Sequence, residues 1–422
     1  MLRPPLLAAA LLAVGPLVLT PLVSTPVAHA DREADRTVRF STFNASLNRN
    51  AAGDLVHDLS TPGNVQAQNV AETIQRVRPD VLLINEFDYA PAAVDLFREN
   101  YLEASHHGSA PIDYPYAYIA PSNTGVPSGF DLNNNGVVGA PGTQAGGDDS
   151  LGFGLFEGQY GMVVYSKYPI DTEGVRTFQN FRWHDMPGAL LPDDPATAAP
   201  ADWYSPAELA QLPLSSKSHW DVPIHIGKKT VHFLVSHPTP PTFDGVEDRN
   251  GTRNHDEIRF WADYVSSRRA SAYIYDDEGT RGGLRPGSRF VIAGDQNADP
   301  VDGDSLDAAI DQLLDHPRIT DPLPRSSGGA EAVDQGGNNA AHQGDPRLDT
   351  ADFGDVGAFG PGNLRVDYVL PSKGTKVVGS GIFWPVDADP LYRLTGDFNR
   401  ALYGPTGVPT SDHRQVWVDV RY

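Results

Sequence analysis

The sequence predicts a single α+β domain in which short β-strands alternate with a few helices from about residue 37 to the C-terminus. Three observations lead to this fold class. Short apolar segments, some of them alternating with period two, recur along the chain, and two longer segments have the apolar spacing of helices. Neither an internal repeat nor a linker between two cores is present. The 422 residues therefore suffice for one large buried core.

Eight segments have the composition of strands. The first alternates with period two at Val38, Phe40 and Thr42, whereas Val81–Ile84 is a continuous apolar run that fits a strand buried on both faces. The predicted strands are 37–44, 81–84, 161–166, 222–226, 231–236, 290–293, 364–370 and 415–420.

Two helices are predicted from their apolar faces. The first follows Pro62 and ends at Arg78-Pro79, because the residue before a proline disfavours helical geometry. Its apolar face comprises Ala67, Val70, Ala71, Ile74 and Val77. The second is predicted from Asp256 to Arg269, with Ile258, Trp261, Ala262 and Val265 on one face.

Residues 1–30 are predicted to be a secretory signal peptide. Arg3 precedes the apolar run Leu6–Val23, and Ala28–Ala30 is a small-residue cleavage site. A transmembrane anchor is the competing interpretation, but prolines interrupt the run. No later stretch is apolar enough to span a bilayer, so we expect a secreted protein without a transmembrane segment that begins near Asp31.

The remaining chain, residues 31–422, is predicted to be one domain with three long insertions. Loops of this length are usually functional or disordered. We therefore expect the insertions to shape the rim of a site and to carry substrate choice. They lie near residues 102–157, 187–215 and 320–362.

The charge and the absence of cysteine narrow the range of possible functions. The chain has 54 acidic against 32 basic residues, for a net charge of −22, so it repels polyanions and is not expected to form a stable nucleic-acid complex. A nuclease remains compatible, because a local cationic site or a bound divalent metal overrides the mean field at short range. The absence of cysteine excludes disulfides, a thiol nucleophile and thiolate-bound metal, so any metal must have oxygen and imidazole ligands.

The most informative motif is 290–300, in which an apolar strand ends at Gly294 and then places Asp295 and Asn297 at alternate positions. Alternate residues of an extended chain point the same way, so a carboxylate and an amide would share one side just past the sheet edge. This pair can orient a water and bind a phosphoryl oxygen or a metal. A plain turn explains the fragment equally well, since Gly, Asp and Asn form turns.

Polar residues mark five further strand ends. Ser411–His413 supplies a hard metal ligand and an imidazole that titrates near neutrality. Asp367 lies within a predicted strand, where a buried carboxylate needs a partner such as histidine. His237 ends its strand because a proline follows, Asn44 follows the first strand, and Glu86 follows the second. Each position alone fits a capped turn or a solvated charge, but six together are hard to explain by packing.

As an ordered set, these motifs resemble those of the endonuclease/exonuclease/phosphatase superfamily, which has the deoxyribonuclease I-like fold. Each motif is weak by itself, whereas the set is specific and covers nearly the whole mature chain. The resemblance implies a four-layer α/β/β/α sandwich of two mostly antiparallel sheets. The matching pieces, in the superfamily's order, are Phe43-Asn44, Asn85-Glu86, Gly161–Pro169, Ser236-His237, Gly294–Asn297, Val366–Tyr368 and Ser411–His413.

The resemblance also implies a metal-dependent site. A Mg²⁺ ion, or a similar hard cation such as Mn²⁺ or Ca²⁺, would be held by Glu86, with Asn44 and Asp412 close by. His413 would be the catalytic imidazole, oriented by Asp367.

Three further roles follow from the resemblance. His237 would stabilise the phosphate or assist the leaving group, while Asp295 and Asn297 would position water and a phosphoryl oxygen. The superfamily commonly has Thr before the histidine of the fourth motif, so Ser236 and the following Pro238 depart from its pattern.

Together these inferences predict a secreted, metal-dependent phosphoesterase that cleaves phosphate mono- or diesters by direct attack of water. Its expected substrates are small organic phosphates or phospholipid head groups. The alternatives are an extracellular nuclease of the same fold and a catalytically silent binding protein on this scaffold. Whether Asp295 or His413 takes the proton of the water is left open.

A second, structural cation site is a subsidiary prediction. Asp131, Asn133 and Asn135 place oxygen ligands at alternate positions before Gly136, as in the first half of a calcium loop. The twelfth position is Gly142 instead of Glu, and a plain Asn-rich turn is the competing interpretation.

Overall fold

The computed structural model describes residues 1–2, 36–306, 308–357, 360–397, 399–403 and 407–422. Residues 37–422 form one compact unit, distinct from residues 1–36. Apart from its first two residues, the predicted signal peptide at 1–30 lies outside the described residues. Among the residues described, no helix combines the length and the apolar character needed to cross a bilayer.

Two β-sheets dominate the fold, and their strands are numbered in chain order. The first has the order β12 (Lys376–Ile382), β13 (Val416–Arg421), β1 (Thr37–Leu47), β2 (Val81–Phe87), β4 (Met162–Ser166) and β3 (Tyr116–Ile119). The second has the order β11 (Asp367–Pro371), β8 (Arg289–Asp295), β7 (Lys229–Ser236), β6 (His219–Ile226) and β5 (Arg176–Thr177). The pairs β1–β2 and β7–β8 are parallel, and the other pairs are antiparallel. The short strands β9 (Ala351–Asp352) and β10 (Asn363–Leu364) pair with each other.

The helices confirm one predicted element closely and correct another. Helix α2 occupies the predicted position after Pro62; the side chain of Asn64 caps it by accepting from the backbone N–H of Ala67 at 2.9 Å. Helix α6 runs from Arg249 to Tyr264 instead of from Asp256 to Arg269. The prediction missed the start because the first turns bury polar side chains that have no apolar periodicity, and it placed the end five residues too late. The helices are α1 (Asp54–Leu59), α2 (Val65–Val77), α3 (Pro91–Phe97), α4 (Gln144–Asp148), α5 (Pro206–Leu209), α6 (Arg249–Tyr264), α7 (Asp311–Leu314), α8 (Ser327–Ala332) and α9 (Arg400–Tyr403). A π-helical turn at Arg98–Leu102 and short 3-10 segments complete the set.

The apolar side chains divide into layers. One cluster joins the facing sides of the two sheets and includes Phe40, Phe233 and Val418. A second packs α1, α2 and α3 on the outer face of the first sheet, and a third packs α6 on the outer face of the second sheet. Full burial of each such side chain is worth about 1.5–3 kcal/mol. The four-layer α/β/β/α sandwich of mostly antiparallel sheets is therefore confirmed.

Two strands extend further than predicted. Asn44 and Glu86 lie within β1 and β2 rather than after them, because the pairing of the two strands resumes at Leu47 and Phe87 after a register shift. The shift is accommodated by left-handed backbone, with φ of 47° at Ser46 and 58° at Glu86. The irregular strand ends turn polar side chains toward one end of the sandwich.

Candidate functional site

One cavity of about 1300 Å³ lies at this end of the sandwich. Six of the eight predicted site residues line it, namely Glu86, His237, Asp295, Asn297, Asp412 and His413. The other two, Asn44 and Asp367, are buried and hydrogen-bonded to lining residues. The structure thus brings together all the residues that the strand-end motifs singled out.

A histidine separates two facing carboxylates in this cavity. Asp295 of β8 and Asp367 of β11 are direct cross-strand partners, an arrangement in which like charges repel. His413 relieves the repulsion: its Nδ1 lies 2.8 Å from Asp367 Oδ2, and its Nε2 lies 3.6 Å from Asp295 Oδ2. Burial alone would lower the pKa of His413, but these two carboxylates outweigh burial and raise that pKa well above its usual value. The imidazole is therefore held as a cation between them.

The parallel strands β7 and β8 bring the second histidine to the same place. Gly294 has φ of 150°, and a Cβ there would lie 2.0 Å from the backbone oxygen of Ser236, so only glycine allows the strands to approach this closely. His237 follows Ser236, and its Nε2 lies 3.3 Å from Asp295 Oδ2. Burial, assisted by the Lys217 ammonium, lowers the pKa of His237 to about 4, so this imidazole is neutral at physiological pH.

Two asparagines connect the sheets beneath the cavity. Asn44 Nδ2 lies 3.1 Å from Asp295 Oδ2 and 3.4 Å from His413 Nε2, and the same side chain acts to lower the pKa of Glu86. Asn85 Nδ2 donates to the Ser236 carbonyl, and its Oδ1 accepts from the backbone N–H of Asp295. These bonds fix the end of the first sheet against the exits of β7 and β8.

Glu86 and Asp412 are two carboxylates beside the histidines that differ from Asp295 and Asp367 in their charge partners. In the described part of the chain, neither makes an ion pair within 4.0 Å with Lys, Arg or His. Burial of Glu86, together with repulsion from Asp412, raises the pKa of Glu86 to about 7. Hard oxygen donors with uncompensated charge are the ligands that divalent cations such as Mg²⁺ prefer. These residues therefore fit a divalent cation.

A different trio also has suitable spacing for a metal. Ligand atoms of Asp295, Asp367 and His413 all lie within 4.8 Å of one another. In this trio, however, the imidazole already bridges the two carboxylates, and a cation there would have to displace its proton. The Glu86–Asp412 side of the cavity therefore suits a cation better.

Asn297 lies two residues after the end of β8 and has a left-handed backbone conformation, with φ of 51°. Its backbone N–H donates to Asp295 Oδ1 at 2.8 Å, and its Nδ2 donates to the Pro238 carbonyl at 3.1 Å. The amide thus links the two strand exits that carry His237 and Asp295, and it faces the cavity.

Lys217 is a residue at this site that sequence reasoning missed. Its side chain is buried, and its Nζ donates a long hydrogen bond of 3.4 Å to the Pro238 carbonyl. Burial lowers the pKa of Lys217, while Glu257 and Asp295 act in the opposite direction. A single lysine in the serine-rich stretch 215–218 gives no sequence signal for burial.

The 320–362 insertion contributes to the site more directly than predicted. The Thr350 carbonyl accepts from Arg414 N–H, and the backbone N–H of Asp352 donates to the Asp412 carbonyl. The ring of Phe353 packs edge-on against His413, with 5.2 Å between ring centroids. The insertion therefore holds the loop that carries His413.

The candidate calcium loop has an internal set of hydrogen bonds. The Asp131 carboxylate accepts from the backbone N–H groups of Asn135 and Gly136, at 3.0 and 2.6 Å. Asn133 and Asn135 accept from backbone N–H groups in the same loop. These bonds are those of a plain turn, and calcium binding at this loop stays a prediction.

Two packed sheets thus bring a His–Asp pair, a second histidine and the carboxylates of Glu86 and Asp412 to one cavity, a set of groups that suits the hydrolysis of phosphate esters. The sequence matches the Endonuclease/Exonuclease/phosphatase family over residues 41–413, so the chain belongs to this family. No curated protein sequence matches the chain significantly.

Several solved structures are similar to the chain at low sequence identity. An endonuclease/exonuclease/phosphatase from Beutenbergia cavernae is 15% identical, with a TM-score of 0.48, over 92% of this chain and 72% of that one. Staphylococcus aureus beta toxin with bound magnesium ions is 13% identical, with a TM-score of 0.43, over 91% and 99% of the two chains. A mannosyl-6-phosphatase from Bacteroides thetaiotaomicron is 12% identical, with a TM-score of 0.41, over 91% and 100%.

Proposed function

We propose that the protein is a secreted, divalent-metal-dependent hydrolase that cleaves small organic phosphate esters or phospholipid head groups by direct attack of water. One observation carries the proposal: His413 is held between Asp367 and Asp295, while Glu86 and Asp412 face the same cavity and make no ion pair with a cationic side chain among the described residues. The N-terminal sequence alone supports secretion.

Hydrolysis of a phosphate ester requires positive charge near the non-bridging oxygens and a water aligned for attack. A divalent cation held by Glu86 and Asp412, with Asn44 close by, would neutralise negative charge on the phosphate. The cationic His413 supplies a second positive group, and the neutral His237 supplies a donor or acceptor for the phosphate or the leaving group.

The charge states of the groups also support an assignment of the proton acceptor. The two histidines outweigh burial and hold the pKa of Asp295 below its usual range, so Asp295 is ionised. Its carboxylate can take a proton from water, whereas a protonated His413 cannot. We therefore propose Asp295 as the general base and His413 as a group that contacts the phosphate.

The cavity wall supports small substrates. Arg49 is the single Lys or Arg among the lining residues described, and it is paired with Asp58 at 2.7 Å. Asp299, Asp302 and Asp304 add negative charge to the lining. A polyanion such as DNA would meet repulsion along much of this wall, whereas a small ester presents few charges to it.

A metal-supplemented screen tests the proposal. We expect release of p-nitrophenol from p-nitrophenyl phosphate or bis-p-nitrophenyl phosphate, stopped by a chelator and restored by Mg²⁺ or Mn²⁺. His413→Ala should abolish this activity, because the cation between the carboxylates is lost. His232→Ala is the matched control, since His232 pairs with Asp221 at 2.7 Å and is not a cavity-lining residue.

Each alternative has its own outcome in the same screen. Faster cleavage of plasmid DNA than of either small ester at low salt would replace the proposal with a nuclease. Absence of ester cleavage with every metal, in a folded protein, would favour the silent binding protein.

A further inference from the structure

A buried asparagine on helix α6 joins two of the loops at the site. Asn254 is fully buried, and its Nδ2 donates to the Thr239 carbonyl at 2.8 Å and to the Gln296 carbonyl at 2.9 Å. Thr239 is two residues after His237, and Gln296 lies directly after Asp295 in the chain. One carboxamide thus ties the exit of β7 to the exit of β8.

The position of this contact matters because the pairing between β7 and β8 ends just before it. The parallel pairing of β7 and β8 reaches Val235 and Ala293, so the residues that follow no longer pair with each other. Ser236 still pairs with His219 of β6, and Asp295 still pairs with Asp367 of β11. Beyond that point, other contacts must set the distance between His237 and Asp295. Asn254 supplies two of these contacts, and the bond from Asn297 Nδ2 to the Pro238 carbonyl supplies another.

The contact requires two N–H donors, which the primary amide of Asn254 supplies without a charge. Both acceptors are backbone carbonyl oxygens, so the side chain must present two N–H groups on one atom. A carboxylate has no such donors, and a hydroxyl has one. Glu257, one turn further along α6, also holds the loop after β7. Its carboxylate accepts from Thr239 N–H at 2.6 Å and from Ser216 N–H at 2.8 Å.

We propose that Asn254 is a positioning residue, which sets the separation of His237 and Asp295 by fixing the two loops that follow β7 and β8. This inference rests on the proposed function, since it assigns Asn254 a role in phosphate ester hydrolysis. Asn254 itself is absent from the cavity lining, so its effect passes through the two loops.

Two substitutions at the buried position 254 test this role. Asn254→Ala removes both donors, and Asn254→Asp removes them with little change of shape. A shift of about 1 Å in a reacting group costs on the order of 100-fold in rate, so we expect kcat to fall about 10- to 100-fold with KM changed by less than about threefold.

The control is Asp256→Ala on the same helix. Asp256 is also fully buried, but it accepts from Trp183 Nε1 at 2.8 Å and from Leu190 N–H at 2.7 Å, in a loop that carries none of the predicted site residues. We expect this variant to lose thermal stability while its kcat stays within about threefold of the wild type. Equal loss of kcat in Asn254→Ala and Asp256→Ala would overturn the inference.

Hydrogen exchange tests the role of Asn254 in positioning the loops independently of the proposed enzymatic activity. Asn254→Ala should speed amide exchange in peptides covering 237–240 and 295–298, whereas Asp256→Ala should speed it near 183–190. Unchanged exchange at both site loops in Asn254→Ala would also overturn the inference. If the wild-type protein cleaves no phosphate ester but the loops respond as expected, the proposed function fails while the structural tie stands.

Discussion

The two sheets bring carboxylates of different electrostatic character to one cavity. On the side of the first sheet, Glu86 and Asp412 have no ion-pair partner among the described residues. On the side of the second sheet, Asp295 and Asp367 are each within ion-pair distance of a histidine. Burial and repulsion raise the pKa of Glu86, whereas the histidines lower that of Asp295.

This difference separates two tasks that residue type alone does not distinguish. Carboxylates already paired with imidazoles can orient those rings and accept protons. Carboxylates left with uncompensated charge are stabilised when a cation binds. We therefore assign metal binding to the first side and proton transfer to the second, and separate substitutions test each assignment.

The largest effect is expected on the second side, from Asp367→Asn. The substitution removes the negative charge that holds His413 in place, and loss of an orienting carboxylate in a His–Asp pair costs on the order of 10³–10⁴ in kcat. Steady-state kinetics at saturating metal measure the loss. Asp221→Asn, in the His232 pair outside the cavity lining, is the control and should retain nearly full kcat. If kcat fell less than tenfold in Asp367→Asn, the His413–Asp367 pair would have no essential role in catalysis.

A substitution on the first side should act on metal affinity instead. Glu86→Gln keeps the shape but removes the charge, so we expect the Kd for Mn²⁺ to rise about 100-fold. Asp295→Asn on the second side should raise the same Kd by less than about tenfold. Titration calorimetry measures both, and equal weakening by the two variants would erase the distinction between the sides.

The smallest expected effect is the pH dependence of metal binding, and its direction is clearly defined. The pKa of Glu86 is raised to about 7, and the cation binds the ionised form, so binding below pH 7 must release a proton. We expect the Kd to rise up to about tenfold for each pH unit below 7 and to be insensitive to this group above it. Calorimetry at pH 6 in two buffers of different ionisation enthalpy counts the released protons. Glu86→Gln should release about one proton fewer, and an unchanged count would contradict the assignment.

The site residues that could be predicted from the sequence are polar residues in or beside apolar strands. Asp295 and His413 stood out because each lies beside a predicted strand, and Asp367 stood out because it interrupts one. The fold then brings these positions together. Their partners were predictable in kind, since a buried carboxylate needs a histidine or another cation.

The supporting residues gave no such signal. Asn254 and Lys217 are polar residues in segments without apolar periodicity, so the sequence favours exposure, whereas the structure buries both. Their partners are backbone carbonyls of loops distant in the chain, which no local pattern encodes. The early start of α6 has the same cause, because tertiary contacts of Arg253 and Asn254 stabilise turns that hydrophobic spacing does not mark.

The most direct test of the account is the position of a bound cation. Crystals grown with Mn²⁺ would give an anomalous difference peak, and we expect that peak within ligand distance of the Glu86 and Asp412 carboxylates, with His413 still hydrogen-bonded to Asp367. A peak between Asp295, Asp367 and His413, with none at Glu86, would contradict the division of tasks between the two sides.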